Sequence, residues 1–129
     1  MSRTESSGMV LEACWELFRH DIQMKMRGFS VVYNNVRKQR AIGTNTDSSI
    51  LPVVCDAVAT AACFYWKPIL CMQRSVVTTR MLRRRGVDAR LVFGYRREPF
   101  LAHAWVEVDG RVVNDSPAYK ERLTLLSEI

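Results

Sequence analysis

The sequence predicts an α+β fold, on three observations. Apolar residues recur at helical spacing as far as about residue 85, they alternate at strand spacing afterwards, and glycine or Asp-Gly punctuation falls at the joints. Helices first and strands later favour an antiparallel sheet covered by helices over a parallel, doubly wound one. A chain of 129 residues can bury a core without help from disulfides or metal, so a single domain is expected over residues 9–129, with the polar stretch 1–8 disordered.

The first helix is expected over residues 9–27. Val10, Leu11, Cys14, Trp15, Phe18, Ile22 and Met26 share one face, which reads as the buried one; Glu12, Glu16, Arg19 and His20 lie opposite and read as surface. Gly28 ends it. Residues 29–36 fit a short helix or a strand equally well, and residues 43–49 form a polar loop able to cap the next helix. That second helix is expected over residues 51–66, with Pro52 in the first turn and Val54, Ala57, Val58, Ala61, Phe64 and Tyr65 as its stripe. Pro68 separates it from a third, residues 70–85, whose early turns are apolar on nearly every side, as a central helix requires. Its last turn carries Arg83-Arg84-Arg85 ahead of a capping Gly86, where cations complement the helix dipole, and reads as solvated. Strands are expected at 89–95, 101–108 and 111–114, and a short closing helix at 119–126.

Three residues carry candidate chemistry. Cys71 falls in the first turn of the third helix, where unpaired backbone N–H groups and the positive end of the dipole favour a thiolate and offer donors to an oxyanion. A thiol with a pKa of about 8.5 is mostly protonated at neutral pH and needs an imidazole to take its proton, and the imidazole needs a third group to orient it. His103 and Asp115 fill those roles if they meet. Across the Asp109-Gly110 turn, a two-residue loop pairs Val108 with Arg111 and sets His103 and Asp115 on opposite faces of the ribbon. A three-residue loop closed by a glycine bulge instead aligns His103 with Asp115 and Glu107 with Arg111, so that register is the expected one. Trp105 shares the His103 face, either shielding the pair from water or filling the core, and Arg74 has no assigned role.

The remaining composition narrows the function classes. The four cysteines, Cys14, Cys55, Cys63 and Cys71, are expected to be free thiols in a reducing cytoplasm, because residues 1–9 are polar and the first hydrophobic stretch is broken by charges. Cys14, Cys55 and Cys63 read as structural, and no CxxC or histidine pair has zinc-ligand spacing. The longest near-apolar run, residues 50–66, contains Asp56 and falls short of a membrane span. A formal charge of +6 invites nucleic acid, but the basic residues lack interleaved aromatics and any recognition motif. The charge suits long-range attraction of an acidic peptide or protein instead.

The helix-start Cys71, the run Leu82-Arg83-Arg84-Arg85-Gly86-Val87-Asp88-Ala89-Arg90-Leu91, the strand His103-Ala104-Trp105-Val106-Glu107-Val108 and the following Asn114-Asp115 resemble the transglutaminase-like cysteine peptidases of lasso peptide biosynthesis, over residues 49–117. His-Ala-Trp with a downstream aspartate is shared across transglutaminase-like proteins. Met72 stands where the family pattern has leucine, a conservative core exchange. The resemblance implies a papain-like core: amino-terminal helices, a central helix with the cysteine at its start, and a small antiparallel sheet with the histidine and aspartate. It further implies leader removal by a Cys71-His103-Asp115 triad through a thioester, without cofactor or metal. Longer members carry an amino-terminal leader-recognition domain for which no residues are left here, so the expected partners are the precursor's leader, a separate leader-recognition protein and, as a further candidate, the lasso cyclase. Two rival readings stand beside it: acyl transfer to an amine by the same triad, and a non-catalytic scaffold for an acidic partner.

Overall fold

The computed structural model describes residues 3–43 and 49–129. In chain order these form helices α1 (Arg3–Met26), α2 (Phe29–Lys38), α3 (Ile50–Phe64) and α4 (Cys71–Arg84), strands β1 (Ala89–Arg96), β2 (Leu101–Val108) and β3 (Arg111–Val112), helix α5 (Ala118–Arg122) and strand β4 (Thr124–Glu128). The strands make one antiparallel sheet in the order β3-β2-β1-β4, giving the expected α+β architecture. Helix α1 begins at Arg3, within the stretch expected to be disordered. Gly28, at φ 85°, separates it from α2. The undecided segment after Gly28 is helical, with Val32 and Val36 buried one turn apart. Of the polar loop 43–49, only Gly43 and Ser49 are among the described residues. No helix among the described residues is long and apolar enough to cross a membrane.

Helix α4 is the hub. Its residues from Gln73 to Arg83 are buried apart from Arg74, as expected of a central helix. It packs against α1 and α3 through Ala13, Leu17, Val54, Val58, Ala61, Val77, Met81 and Leu82, and against one sheet face through Val76, Leu91 and Ala104. The other sheet face carries a smaller cluster of Val92, Trp105 and Leu123. The closing segment departs from expectation: only residues 118–122 are helical, and 124–128 form a strand. It pairs with the outer edge of β1, and Leu91 and Ile129 exchange both backbone hydrogen bonds, so groups that local helix would leave unpaired on β1 are satisfied.

Helix α1 is turned opposite to its expected orientation. Ala13 and Leu17 are buried with Glu16 and His20, whereas Leu11, Trp15, Phe18, Ile22 and Met26 are exposed and Cys14 lies half-buried at the margin. The inward face is chosen by ionic complementarity to α4. Glu16 meets Arg84 at 2.9 Å and Arg80 at 3.8 Å, and Glu12 meets Arg84 and Arg85. The arginine run is therefore not a solvated helix end. Arg83 is 4% exposed and donates to four main-chain carbonyls, Nε to Ala89, Nη1 to Val36 and Gln39, and Nη2 to Ile129. That single guanidinium ties α4 to the end of α2, the start of β1 and the chain after β4. Burial, with Arg90 adding to it, pushes its pKa down against the pull of Asp88.

Candidate active site

Pro68 and Leu70 start α4 where the sequence places it. Leu70 is the extended N-cap residue at φ −84° and ψ 164°, and Cys71 is the first helical residue, half-buried. The first intrahelical bond runs from the Arg74 N–H to the Leu70 carbonyl at 3.1 Å. By helix geometry the N–H groups of Cys71, Met72 and Gln73 have no intrahelical acceptor. The preceding loop is fastened from α1: Asp21 takes hydrogen bonds from Tyr65 Oη, from Lys67 Nζ at 2.8 Å and from Gln73 Nε2 at 3.0 Å, and Gln73 also reaches the Leu17 carbonyl at 3.0 Å. Burial raises the Asp21 pKa, but these donors together outweigh it and hold the carboxyl below its usual value. Neither Asp21 nor Gln73 was singled out by the sequence, because nothing in their spacing shows that α1 crosses the start of α4.

The hairpin corrects the expected register. Val108 pairs with Arg111 and Glu107 with Val112, so the loop has two residues, Asp109 and Gly110, both at positive φ (51° and 76°), the left-handed pair such turns require. The expected pairing of Glu107 with Arg111 does not form. Glu107 is instead buried, accepting from Trp105 Nε1 at 2.8 Å and Lys120 Nζ at 3.0 Å. Yet His103 and Asp115 meet, Nε2 to Oδ2 at 2.7 Å. The ladder stops early: the Val113 N–H still reaches the Val106 carbonyl, and the Val106 N–H is then taken by the Asn114 side chain at 2.8 Å. With Asn114 substituting for the strand backbone, the chain leaves the ribbon and Asp115 swings to the histidine's face. Strand alternation therefore lapses one residue before Asp115, and the contact it would exclude can form.

The same asparagine reaches α4. Asn114 Nδ2 donates to Ser75 Oγ at 3.0 Å, and Ser75 Oγ donates to the Ala104 carbonyl at 3.2 Å. Ser75 is one turn after Cys71 on the same side of α4 and is bonded to the residues adjoining His103 and Asp115, so the helix start and the His-Asp pair are tied at one end of the molecule. The second Asp115 oxygen accepts the Ser116 N–H at 2.8 Å, and the imidazole stacks on Tyr119 with centroids 3.9 Å apart. Trp105 is 2% exposed and lies 6.3 Å from the imidazole, so it fills the core and flanks the histidine at once. Ser75, Asn114 and Tyr119 were missed; the adjacency of Asn114 to Asp115 was the one visible signal.

The other cysteines occupy distinct settings. Cys55 donates to the Val113 carbonyl at 3.4 Å, and burial, with Asp56 adding to it, pushes its pKa up to about 11. Cys63 is exposed, while Cys14 is half-buried against the core. Arg74 lines a small cavity with Ala59, Ala62, Cys63 and Ile69, facing α3 and not the hairpin.

Comparison with known proteins identifies the family. The family model described as Transglutaminase-like superfamily matches residues 15–128. The chain is 44% identical over 59 residues to the microcin J25-processing protein McjB of Escherichia coli, a match covering 46% of this chain and 28% of that relative. No solved structure matches. A family match running from α1 to the end of β4, on a helix-start cysteine and an antiparallel sheet bearing a bonded histidine and aspartate, means that this chain belongs to the transglutaminase-like superfamily.

Proposed function

We propose that this chain is a cysteine endopeptidase of the cytoplasm that removes the leader from a ribosomally made lasso peptide precursor. The observation that carries the reading is the Ser75-Asn114 link, which fastens the start of α4 to a preformed His103-Asp115 pair. Superfamily membership and the partial likeness to a microcin J25-processing protein support it.

Because His103 Nε2 is engaged by Asp115, Nδ1 is the nitrogen left to serve the thiol. In the proposed reaction Nδ1 takes the Cys71 proton, the thiolate attacks the scissile carbonyl, and the oxyanion is met by N–H groups of the first turn of α4. The intermediate collapses, the C–N bond breaks, and the leaving amine takes the proton from Nδ1. Water, deprotonated by the same nitrogen, then hydrolyses the thioester to a free carboxylate and restores the thiol. Asp115 holds tautomer and ring orientation throughout.

The test is mass spectrometry of a lasso precursor peptide after incubation with this protein, with and without a leader-recognition protein in trans. Cleavage with a new free carboxylate is expected, faster with the partner present because tethering raises the effective concentration of the scissile bond. Cys71→Ala should abolish it with the fold intact, and Asp115→Asn should slow it by about a hundredfold or more. An amide formed with an added amine would move the assignment to acyl transfer. Full activity of Cys71→Ala would end the peptidase reading.

A further inference from the structure

We propose that the outward face of α1 is a docking surface for a partner protein presenting an apolar contact face edged with carboxylates. Leu11, Trp15, Phe18, Ile22 and Met26 are 70%, 61%, 45%, 42% and 79% exposed. Their spacing of 4, 3, 4 and 4 residues keeps them within a narrow arc of one helix face, a stripe about 22 Å long at 1.5 Å per residue. Trp15 and Phe18 already contact each other, with centroids 6.2 Å apart. Together the five side chains offer roughly 600–700 Å² of apolar surface, more than the few hundred Å² usual on a monomer and close to the ~800 Å² that each partner contributes to a standard interface.

Charge decides what covers it. Arg19 and Lys25 edge the stripe and are exposed, Arg19 keeping 48% of its side chain accessible while one guanidinium nitrogen lies 3.6 Å from Glu16. The carboxylates of α1 from Glu12 onward are consumed on the other side: Glu12 and Glu16 by the arginines of α4, and Asp21 by Lys67, Tyr65 and Gln73. A second copy of this chain would set cationic edge against cationic edge, with both molecules at a formal +6. An apolar face edged with aspartate or glutamate matches the stripe and gains from steering at low salt. The inference stands apart from the peptidase reading, since no residue of the stripe belongs to the Cys71, His103 and Asp115 site.

The probes are two synthetic 18-residue amphipathic helices with the same leucine face, one flanked by glutamates and one by lysines, titrated by fluorescence anisotropy against the full chain. The glutamate peptide is expected to bind at least tenfold more tightly, with the preference shrinking in 0.5 M salt. A Trp15→Ser/Phe18→Ser variant should lose at least tenfold in that binding at an unchanged melting temperature, because both residues are exposed. Equal or absent binding of the two peptides, or binding indifferent to the variant, would overturn the proposal. So would a concentration-dependent dimer in sedimentation that the variant removes, which would assign the face to a second copy.

Discussion

Gly94→Ala should destabilise the fold by about 1–3 kcal/mol through a single collision. Gly94 lies opposite His103 in the β1-β2 pairing, and a Cβ built on it would sit 2.6 Å from Trp105 Cη2, 2.8 Å from Cζ3 and 3.0 Å from Leu123 Cβ. Ordinary carbon contacts are about 3.5–4.0 Å, so the indole has to retreat by about 1 Å. It has nowhere to go: the ring is 2% exposed, and its Nε1–H is bound to Glu107, which Lys120 holds from the other side. Giving up that bond to a carboxylate adds about 1.5 kcal/mol or more, and the lower entropy of an unfolded chain with alanine offsets about 0.4–1 kcal/mol. The assay is denaturant unfolding of Gly94→Ala, Trp105→Phe and the double mutant. Phenylalanine lacks the outer atoms of the indole, so the cycle should show at least about 1 kcal/mol of relief over additivity. A destabilisation below about 0.5 kcal/mol, or strict additivity, would refute the contact argument.

Three further outcomes are expected. Burial, with repulsion from Arg80 and Lys67 outweighing attraction from Asp21, pushes the His20 pKa down to about 4. Above pH 6.5 the histidine is neutral in both states and its stability is fully present; as pH falls from 6.5 towards 4 the unfolded state protonates first, and about 3 kcal/mol is lost. His20→Leu should flatten that part of a stability-pH curve, and an unchanged slope would show that another group sets it. Arg83→Met should cost about 3–5 kcal/mol in urea unfolding by orphaning four carbonyls, and Arg83→Lys should recover little, since one ammonium cannot span them. Because Cys63 is exposed, alkylation is best followed in a Cys63→Ser background, where Cys71 should react fastest and slow severalfold in His103→Ala while Cys14 and Cys55 are unmoved. Equal rates at Cys71 with and without the imidazole would make that thiol a bystander.

What could be read from the sequence was whatever depends on neighbours along the chain. Pro68 and Gly86 bound the central helix because proline and a left-handed glycine act locally, and β2 ends where the sequence places its end because Asp109-Gly110 is a local turn signal. The unread features depend on partners far away in sequence. The orientation of α1 follows from Glu12 and Glu16 meeting arginines about seventy residues later, which a count of large apolar side chains cannot register. The strand at 124–128 exists because β1 has an edge to satisfy. Turn length would govern the His-Asp contact only if the ladder ran as far as Asp115, and Asn114 ends it first.

That asparagine makes the hairpin modular. Its amide faces two ways, to Val106 in the strand and to Ser75 in the helix, so the position of Asp115 is referenced to α4 and not to the tip at Asp109-Gly110. Exchanging the tip residues therefore leaves the carboxylate's own anchors in place, and the tip, six residues or about 20 Å along the strand from His103, is a place to graft a label or an affinity handle away from the site.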